Sequence, residues 1–207
     1  GDAMAKGCDT LITCGGPQSN HARMTAGAAR RMVLHPVLVL DGQDPLTRQG
    51  NLLLDHLLGA DLVFSGERDS GEMLEEVAES LRKLGKKPYI IPLGGSNALG
   101  SVGYISSVEE IVGQAKALGI VPKALYVATG SCGTIAGLIM GKILCNASFR
   151  IVGEAVSPSA AKKEERAMAL TLETAELLKS RARAHGQPEI LRRLEAVTPE
   201  SVRASFT

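Results

Sequence analysis

Residues 10–21 read Thr-Leu-Ile-Thr-Cys-Gly-Gly-Pro-Gln-Ser-Asn-His, an apolar run followed by a glycine turn and a polar cluster. The apolar run predicts a strand, and residues 22–32 have the apolar spacing of a helix. Ser19 and Asn20 stand at the expected helix start, where such residues commonly cap the backbone. The first N–H groups of a helix lack intrahelical acceptors and favour an anion. The stretch therefore predicts a strand, a turn and a helix whose first turn binds an anion.

The rest of the chain repeats this alternation of apolar strands and helices. Further strands are predicted at residues 36–40, 62–65, 89–93, 124–128 and 150–155, and further helices at 51–58, 71–84, 107–118, 133–144 and 160–185. Short, continuously apolar strands separated by helices indicate parallel sheets that are buried on both faces. Gly59, Gly85 and Gly119 are expected to end helices in the left-handed conformation. The predicted fold class is α/β, with open parallel sheets in three layers and helices on both faces.

Composition excludes several classes of function. The 207 residues are 44% hydrophobic and 22% charged, with a net charge of +1 and only 3% aromatic residues. This balance gives no reason to expect nucleic acid or an acidic membrane surface as a partner. No apolar run approaches the roughly 20 residues that span a bilayer. The four cysteines form no C-x-x-C pair, so no metal site is expected, and reduced thiols in a cytoplasmic protein are the preferred interpretation.

Three loops that contain or follow glycines come after predicted strands and before predicted helices, at residues 18–21, 94–97 and 129–134. In open α/β sheets such loops lie at the carboxyl ends of strands, where ligands bind. The third, Thr-Gly-Ser-Cys-Gly-Thr, most resembles a phosphate cradle, because its small residues allow close approach and its hydroxyls can donate. It matches neither a Walker A loop nor a G-x-G-x-x-G fingerprint. A phosphate on a smaller cofactor is the remaining candidate.

Plainer interpretations stay open for each feature taken alone. One glycine loop is more often a simple tight turn, and Ser19 with Asn20 is more often a cap than a ligand. His21 alone is more often an ordinary partnered histidine, and Cys132 has no evident partner for nucleophilic catalysis. The charged residues 162–166 most simply form a solvated helix face. The occurrence of three such loops in one chain favours a ligand site.

Several motifs together resemble the D-cysteine desulfhydrase and 1-aminocyclopropane-1-carboxylate deaminase family of pyridoxal-phosphate enzymes. The resemblance is carried by residues 10–23, by Gly-Asn-Leu-Leu-Leu-Asp at 50–55, by Ile-Pro-Leu-Gly-Gly-Ser-Asn-Ala-Leu-Gly at 91–100 and by Ala-Thr-Gly-Ser-Cys-Gly-Thr at 128–134. It runs to about residue 157. It implies the tryptophan-synthase-β-like fold (fold type II) in two subdomains: a smaller one at 1–105 and part of a larger, cofactor-phosphate-binding one at 106–207. The Gly/Ser-rich stretch at 94–103 by itself predicts a domain crossing around 94–106.

The resemblance also implies roles for matching positions. Ser19, Asn20 and His21 would meet the substrate carboxylate, largely through backbone N–H groups; Asn20 would also bond the cofactor's ring hydroxyl, and Ser19 would help to move a proton. The cofactor phosphate would be held by Thr129, Gly130, Ser131, Cys132, Gly133 and Thr134. His21 favours the desulfhydrase branch, in which D-cysteine yields pyruvate, ammonia and sulfide.

Two departures from the family pattern shape the expected activity. Pro17 stands where the family usually has an aliphatic residue, and Cys132 stands where it usually has glycine. The family's Schiff-base lysine lies in an Asn-Lys-x-Arg-Lys segment that does not occur in the 207 residues, and Lys6 does not stand out as a substitute. We therefore expect a chain truncated at both ends, a pyridoxal-phosphate lyase or deaminase by family but itself inactive. The alternative is a non-catalytic remnant that binds cofactor weakly or serves only in assembly. Uncovered sheet edges would favour self-association, as a homodimer or larger oligomer.

Overall fold

The computed structural model describes residues 1–156 and 160–203. The chain divides into two compact units, an amino-terminal unit of Gly1–Gly95 and a carboxyl-terminal unit that starts at Ser96. The subdomain boundary predicted after residue 105 stays a prediction. Ser157, where the family resemblance was expected to fade, lies outside the described residues.

The amino-terminal unit alternates four strands with four helices. Its strands are β1 (Thr10–Gly15), β2 (His35–Leu40), β3 (Asp61–Phe64) and β4 (Pro88–Ile90), and its helices are α1 (Asp2–Ala5), α2 (Asn20–Arg31), α3 (Gly50–Leu57) and α4 (Ser70–Lys83). The strands form one parallel sheet in the order β3-β2-β1-β4. Because the strands are parallel, the loops that follow β1 and β4 emerge at the same edge of this sheet.

Helices cover both faces of this sheet. Val37 and Val39 of β2 pack with Leu74 of α4 on one face. Leu38 and Leu40 pack against α2 and α3 on the other face. All four of these strand side chains are at most 2% exposed, and burying a side chain of this size stabilises the fold by about 1.5–3 kcal/mol. The predicted three-layer α/β arrangement is confirmed in this unit.

The carboxyl-terminal unit contains a two-stranded parallel sheet and six helices within the described residues. Strands β5 (Ala124–Thr129) and β6 (Arg150–Ala155) pair in parallel, and the helices are α5 (Ala98–Ser101), α6 (Gly103–Ala117), α7 (Gly133–Cys145), α8 (Ala160–Ala184), α9 (Pro188–Glu195) and α10 (Pro199–Arg203). Helix α7 is buried from Ile135 through Gly141, and two glycines allow α6 to approach it closely. A Cβ on Gly141 would lie 2.8 Å from Val108 of α6.

Most predicted elements are confirmed, one predicted strand is too long, and some short helices were not predicted. Gly59, Gly85 and Gly119 have the expected positive φ, at 68°, 78° and 67°. The strand predicted at residues 89–93 is shorter, ending at Ile90, because Pro92 has no N–H for the ladder and a turn begins at Leu93. Helices α9 and α10 were not predicted, although each begins with a proline, a residue suited to the first helical turn.

The structure adds two observations on membrane and metal. Within residues 1–156 and 160–203, no helix is long and apolar enough to cross a bilayer. The same ranges hold no group of three or more His, Cys, Asp or Glu side chains placed to bind a metal ion. All four cysteines are free thiols.

Candidate functional site

The first candidate region lies where β1 passes into α2. Ser19 is the N-cap of α2, and its Oγ accepts a hydrogen bond from the backbone N–H of Ala22 at 3.1 Å. Gly15 ends β1 directly beneath this cap, since a Cβ there would lie 3.0 Å from Ser19 Oγ. The capping interpretation of Ser19 is therefore confirmed, while its role toward a ligand stays a prediction. The N–H groups of Asn20 and His21 belong to the first helical turn, which has no intrahelical acceptor.

Asn20 is fixed from the side by the start of α3. Its Oδ1 accepts a hydrogen bond from Asn51 Nδ2 at 2.9 Å, and the same nitrogen donates to the backbone oxygen of Gln18, also at 2.9 Å. Asn20 itself is exposed. The side chain predicted to meet the cofactor is thus oriented by the protein and still open to a ligand.

His21 is held in one tautomer by Thr13 of β1. The hydroxyl of Thr13 donates its single proton to the backbone oxygen of Ile91 at 2.8 Å. It can therefore only accept from His21 Nε2, which lies 2.8 Å away. Nε2 of His21 carries the proton and Nδ1 is an acceptor. Burial lowers the pKa of His21, which keeps the imidazole neutral near pH 7.

The glycine loop after β4 packs on this imidazole. Gly95 has φ of 64°, and a Cβ there would lie 3.3 Å from His21 Cε1. Gly94 also has a positive φ, of 67°. Glycine is needed at both positions because the two consecutive residues are left-handed and the His21 ring lies close to Gly95. The sequence predicted this segment only as a ligand loop.

The second candidate region, the loop of residues 129–134, joins β5 to α7 in the carboxyl-terminal unit. Cys132 is the N-cap of α7 in the left-handed conformation, with φ of 72°, and its side chain makes no cap hydrogen bond. Thr129 and Thr134 flank the loop, and Ser131 lies within it. A helix start that its own N-cap side chain does not cap, with a left-handed residue before it and hydroxyl side chains around it, suits a phosphate group.

Ser96 belongs to this second region and was not predicted as a site residue. Its hydroxyl donates to Ser131 Oγ at 2.7 Å and accepts from the backbone N–H of Gly133 at 3.1 Å. Ser96 is only 7% exposed, and a Cβ on Gly133 would lie 2.6 Å from its Oγ. Ser96 lies in the 94–97 loop, which the sequence predicts as a ligand loop. That position was the available signal for Ser96, although it does not indicate which residue of the loop would act.

Lys163 and Arg166 of α8 bring positive charge to the 129–134 loop. Lys163 Nζ donates to the backbone oxygen of Gly130 at 2.6 Å, and Arg166 Nη2 donates to that of Ser96 at 3.4 Å. Lys163 is half-buried, so it departs from the solvated face predicted for residues 162–166. A groove of about 440 Å³ lies beside Lys163 and Thr129. Positive charge beside a helix start strengthens the fit to a phosphate.

Cys132 does not have the properties of a catalytic nucleophile. The side chain is 3% exposed. Burial raises the pKa of its thiol, and Lys163 and Arg166 only partly oppose that effect. The weak hypothesis of a cysteine nucleophile therefore loses support, since reactive cysteines have lowered pKa values and solvent access.

Comparison with known proteins gives a consistent result. The family described as pyridoxal-phosphate dependent enzyme matches residues 2–204. The chain is 45% identical over 181 residues to a Pyrococcus abyssi protein provisionally named a 1-aminocyclopropane-1-carboxylate deaminase, covering 86% of this chain and 54% of that protein. It is 37% identical over 189 residues to the D-cysteine desulfhydrase of Klebsiella pneumoniae strain 342, covering 88% and 57%.

A solved structure supports the same family and the fold. The crystal structure of an ACC deaminase homologue superposes with a TM-score of 0.78 at 40% identity, covering 86% of this chain and 54% of the other. The fold class inferred from the motifs, fold type II, is confirmed, and so is the cofactor expected of the family. The chain spans about half the length of the relatives it matches.

Proposed function

The chain belongs to the pyridoxal-phosphate dependent enzyme family, and from this premise we propose that it forms part of a lyase or deaminase acting on a small amino acid. The activity we favour is that of a D-cysteine desulfhydrase, which releases pyruvate, ammonia and sulfide. The observation that carries the proposal is the oriented start of α2, where N–H groups without an acceptor inside the helix adjoin the fixed Asn20 carboxamide.

The cofactor, when bound, supplies an electron sink for the substrate α-carbon, so that a β-substituent can leave. In the amino-terminal unit, we assign the substrate carboxylate to the backbone N–H groups of Asn20 and His21. The imidazole of His21 is a poor donor for this anion, because its only proton is directed at Thr13. Its proposed role is to hold the loop and to keep a neutral acceptor near the helix start.

Ser19 is the residue to which we assign proton movement. One lone pair of its Oγ is engaged by Ala22 N–H, which leaves the hydroxyl proton and a second lone pair for the substrate. The hydroxyl can therefore give up its own proton and take another through the second lone pair without breaking the cap. Replacing Ser19 by Ala would remove both the proton carrier and the cap, so its effects on activity and stability need separate measurement.

In the carboxyl-terminal unit, we assign the cofactor phosphate to the 129–134 loop. The proposed donors are N–H groups at the start of α7 and the hydroxyls of Ser131 and Thr134. The hydroxyl of Thr129 donates to the backbone oxygen of Val127 at 3.2 Å, so it would donate to phosphate only after turning away from that oxygen. Lys163 would balance the negative charge from its position on the Gly130 carbonyl. Because Ser96 already bonds the N–H of Gly133, that amide would be available to phosphate only if the Ser96 hydroxyl moved.

The test separates cofactor binding from turnover. The 207-residue chain is titrated with pyridoxal phosphate by absorbance, trapped with borohydride and analysed by intact mass, and then assayed for sulfide release from D-cysteine and ammonia release from 1-aminocyclopropane-1-carboxylate. Saturable binding supports the proposal. We expect no turnover by this polypeptide on its own, because it lacks the Asn-Lys-x-Arg-Lys segment that carries the family's lysine. Robust release of sulfide would contradict that expectation, and no binding would contradict the whole proposal.

We further propose a cytoplasmic protein that works as a homo-oligomer. Four free thiols support a reducing compartment. Val33 and Val156, which are 94% and 65% exposed, leave apolar surface available to a second copy. Light scattering at high concentration tests the assembly, and a clean monomer would contradict it.

A further inference from the structure

The side chain of Asn51, at the start of α3, makes two hydrogen bonds with one nitrogen. Asn51 Nδ2 lies 2.9 Å from the backbone oxygen of Gln18 and 2.9 Å from Asn20 Oδ1. Asn51 is partly buried, whereas Asn20 is exposed. One side chain of α3 therefore sets the conformation of a residue at the start of α2.

The orientation of the Asn51 and Asn20 carboxamides follows from one acceptor, the backbone oxygen of Gln18. A backbone carbonyl can only accept, so the Asn51 atom beside Gln18 is the nitrogen. Its second hydrogen needs an acceptor, so the Asn20 atom that it meets is the oxygen. Because Asn51 bonds the oxygen of the Asn20 carboxamide, the NH₂ group of Asn20 is the part that can donate to a ligand.

The backbone around Asn51 makes this arrangement rigid. The N–H of Asn51 donates to Gln18 Oε1 at 2.9 Å, and Gln18 Nε2 donates to the backbone oxygen of Gln49 at 3.1 Å. Gly50 between them has φ of 56°, and a Cβ at this position would collide with the Gln18 carboxamide. Four hydrogen bonds thus join residues 18–20 to residues 49–51 within the amino-terminal unit.

We propose that Asn51 is a positioning residue that makes Asn20 a hydrogen-bond donor toward an acceptor oxygen on the ring of the bound cofactor. The inference rests on the proposed function, which assigns the 3-oxygen of pyridoxal phosphate to Asn20. It adds a prediction of polarity: the protein supplies N–H to that oxygen, which favours its ionised form. A hydrogen bond to an ionised oxygen is stronger than one between neutral groups.

The test replaces Asn51 by a side chain of the same shape and the opposite hydrogen-bonding character. In Asn51→Asp, the carboxylate repels the backbone oxygen of Gln18 and attracts the NH₂ of Asn20, so Asn20 presents its oxygen to the ligand. The probes are pyridoxine 5′-phosphate, which has no aldehyde and cannot react with lysines, and its 3-deoxy analogue. Asn146→Asp, an exposed residue of the carboxyl-terminal unit, is the matched control for the added charge.

We expect Asn51→Asp to weaken binding of pyridoxine 5′-phosphate by about tenfold or more. Binding of the 3-deoxy analogue and the behaviour of Asn146→Asp should stay close to the unmodified chain. The effect of Asn51→Asp should vanish in an Asn20→Ala background, because the residue acts through Asn20. The pKa of the bound probe's 3-hydroxyl, followed by absorbance, should rise in Asn51→Asp.

Three results would overturn the inference: unchanged binding in Asn51→Asp, an equal loss for both probes, or a full effect that persists in Asn20→Ala. If Asn20→Ala weakens binding and Asn51→Asp does not, the proposed function stands and only the role of Asn51 falls. If the unmodified chain binds neither probe, the proposed function fails and the inference fails with it.

Discussion

Asp55 should make the protein less stable as the pH rises. This carboxyl, on the buried face of α3, is 1% exposed, and neither of its oxygens has a hydrogen-bond partner. Burial raises its pKa from 3.8 to about 6, and the nearby charge of Arg23 only partly offsets the effect. The folded state therefore holds the proton more tightly than the unfolded chain. Stability is fully present below the unfolded pKa and is lost as the pH rises through the folded pKa.

The size of the effect follows from the shift. About two pKa units correspond to roughly 3 kcal/mol at pH 8, and about half of that penalty is already present at pH 5. Replacing Asp55 by Asn keeps the shape and removes the charge. An unpartnered amide has its own cost, but that cost does not depend on pH. The difference in unfolding free energy between Asp55→Asn and the unmodified chain should therefore move in favour of Asn by about 1–2 kcal/mol from pH 5 to pH 8.

Urea denaturation of both proteins at pH 5, 6, 7 and 8 measures this difference. The titration of His21 is common to both proteins and cancels. Glu67→Gln is the control, because Glu67 is exposed and surface changes usually alter stability by less than about 0.5 kcal/mol. A difference between Asp55→Asn and the unmodified chain that is the same at pH 5 and pH 8 would refute the argument that a buried, unpartnered charge is present.

Two further predictions concern the hydrogen bond between Thr13 and His21 and the glycines of α6 and α7. Thr13→Val leaves His21 Nε2–H without its acceptor, and we expect a loss of about 1–3 kcal/mol in urea denaturation; an unchanged midpoint would contradict the tautomer assigned to His21. Gly137→Ala places a methyl group against the backbone oxygen of Ser101, and should destabilise by about 3 kcal/mol or more because the colliding atom is backbone. Gly113→Ala in the middle of α6 meets nothing within 4 Å, so it should instead stabilise by about 0.5–1 kcal/mol. Thermal melts of the two alanine variants should shift in opposite directions, and shifts of the same sign would contradict the packing described for α7.

The order of strands and helices was predictable from the sequence because apolar spacing alone distinguishes them. The six predicted strands and the six predicted helices appear where the pattern placed them, with ends shifted by a few residues. The strand predicted at 89–93 extends past the observed end of β4 at Ile90, because the apolar run in the sequence continues beyond the point where Pro92 interrupts the hydrogen-bond ladder. The helices at Pro188 and Pro199 were missed, although the proline itself was the available signal.

The loops of the site were predictable, but the partners that orient them were not. Glycines and small polar residues after strands indicate ligand loops from local sequence alone. The contact of Thr13 with Ile91 spans 78 positions, that of Asn20 with Asn51 spans 31, and that of Gly130 with Lys163 spans 33. Such pairs depend on how the strands are ordered in each sheet, which local patterns do not specify. Lys163 in particular lies in a charged run that has the composition of an ordinary solvated face.

The proposed phosphate site is tested most directly by comparing the binding of pyridoxal phosphate to the 207-residue chain with that of pyridoxal, which lacks the phosphate. Both are titrated by absorbance and by calorimetry in the same buffer. We expect saturable binding of one pyridoxal phosphate per chain. Pyridoxal should bind about tenfold more weakly or worse, because the start of α7 and Lys163 have no anion to bind. Equal affinity for the two compounds, or no saturation by pyridoxal phosphate, would contradict the assignment of the 129–134 loop as the phosphate site.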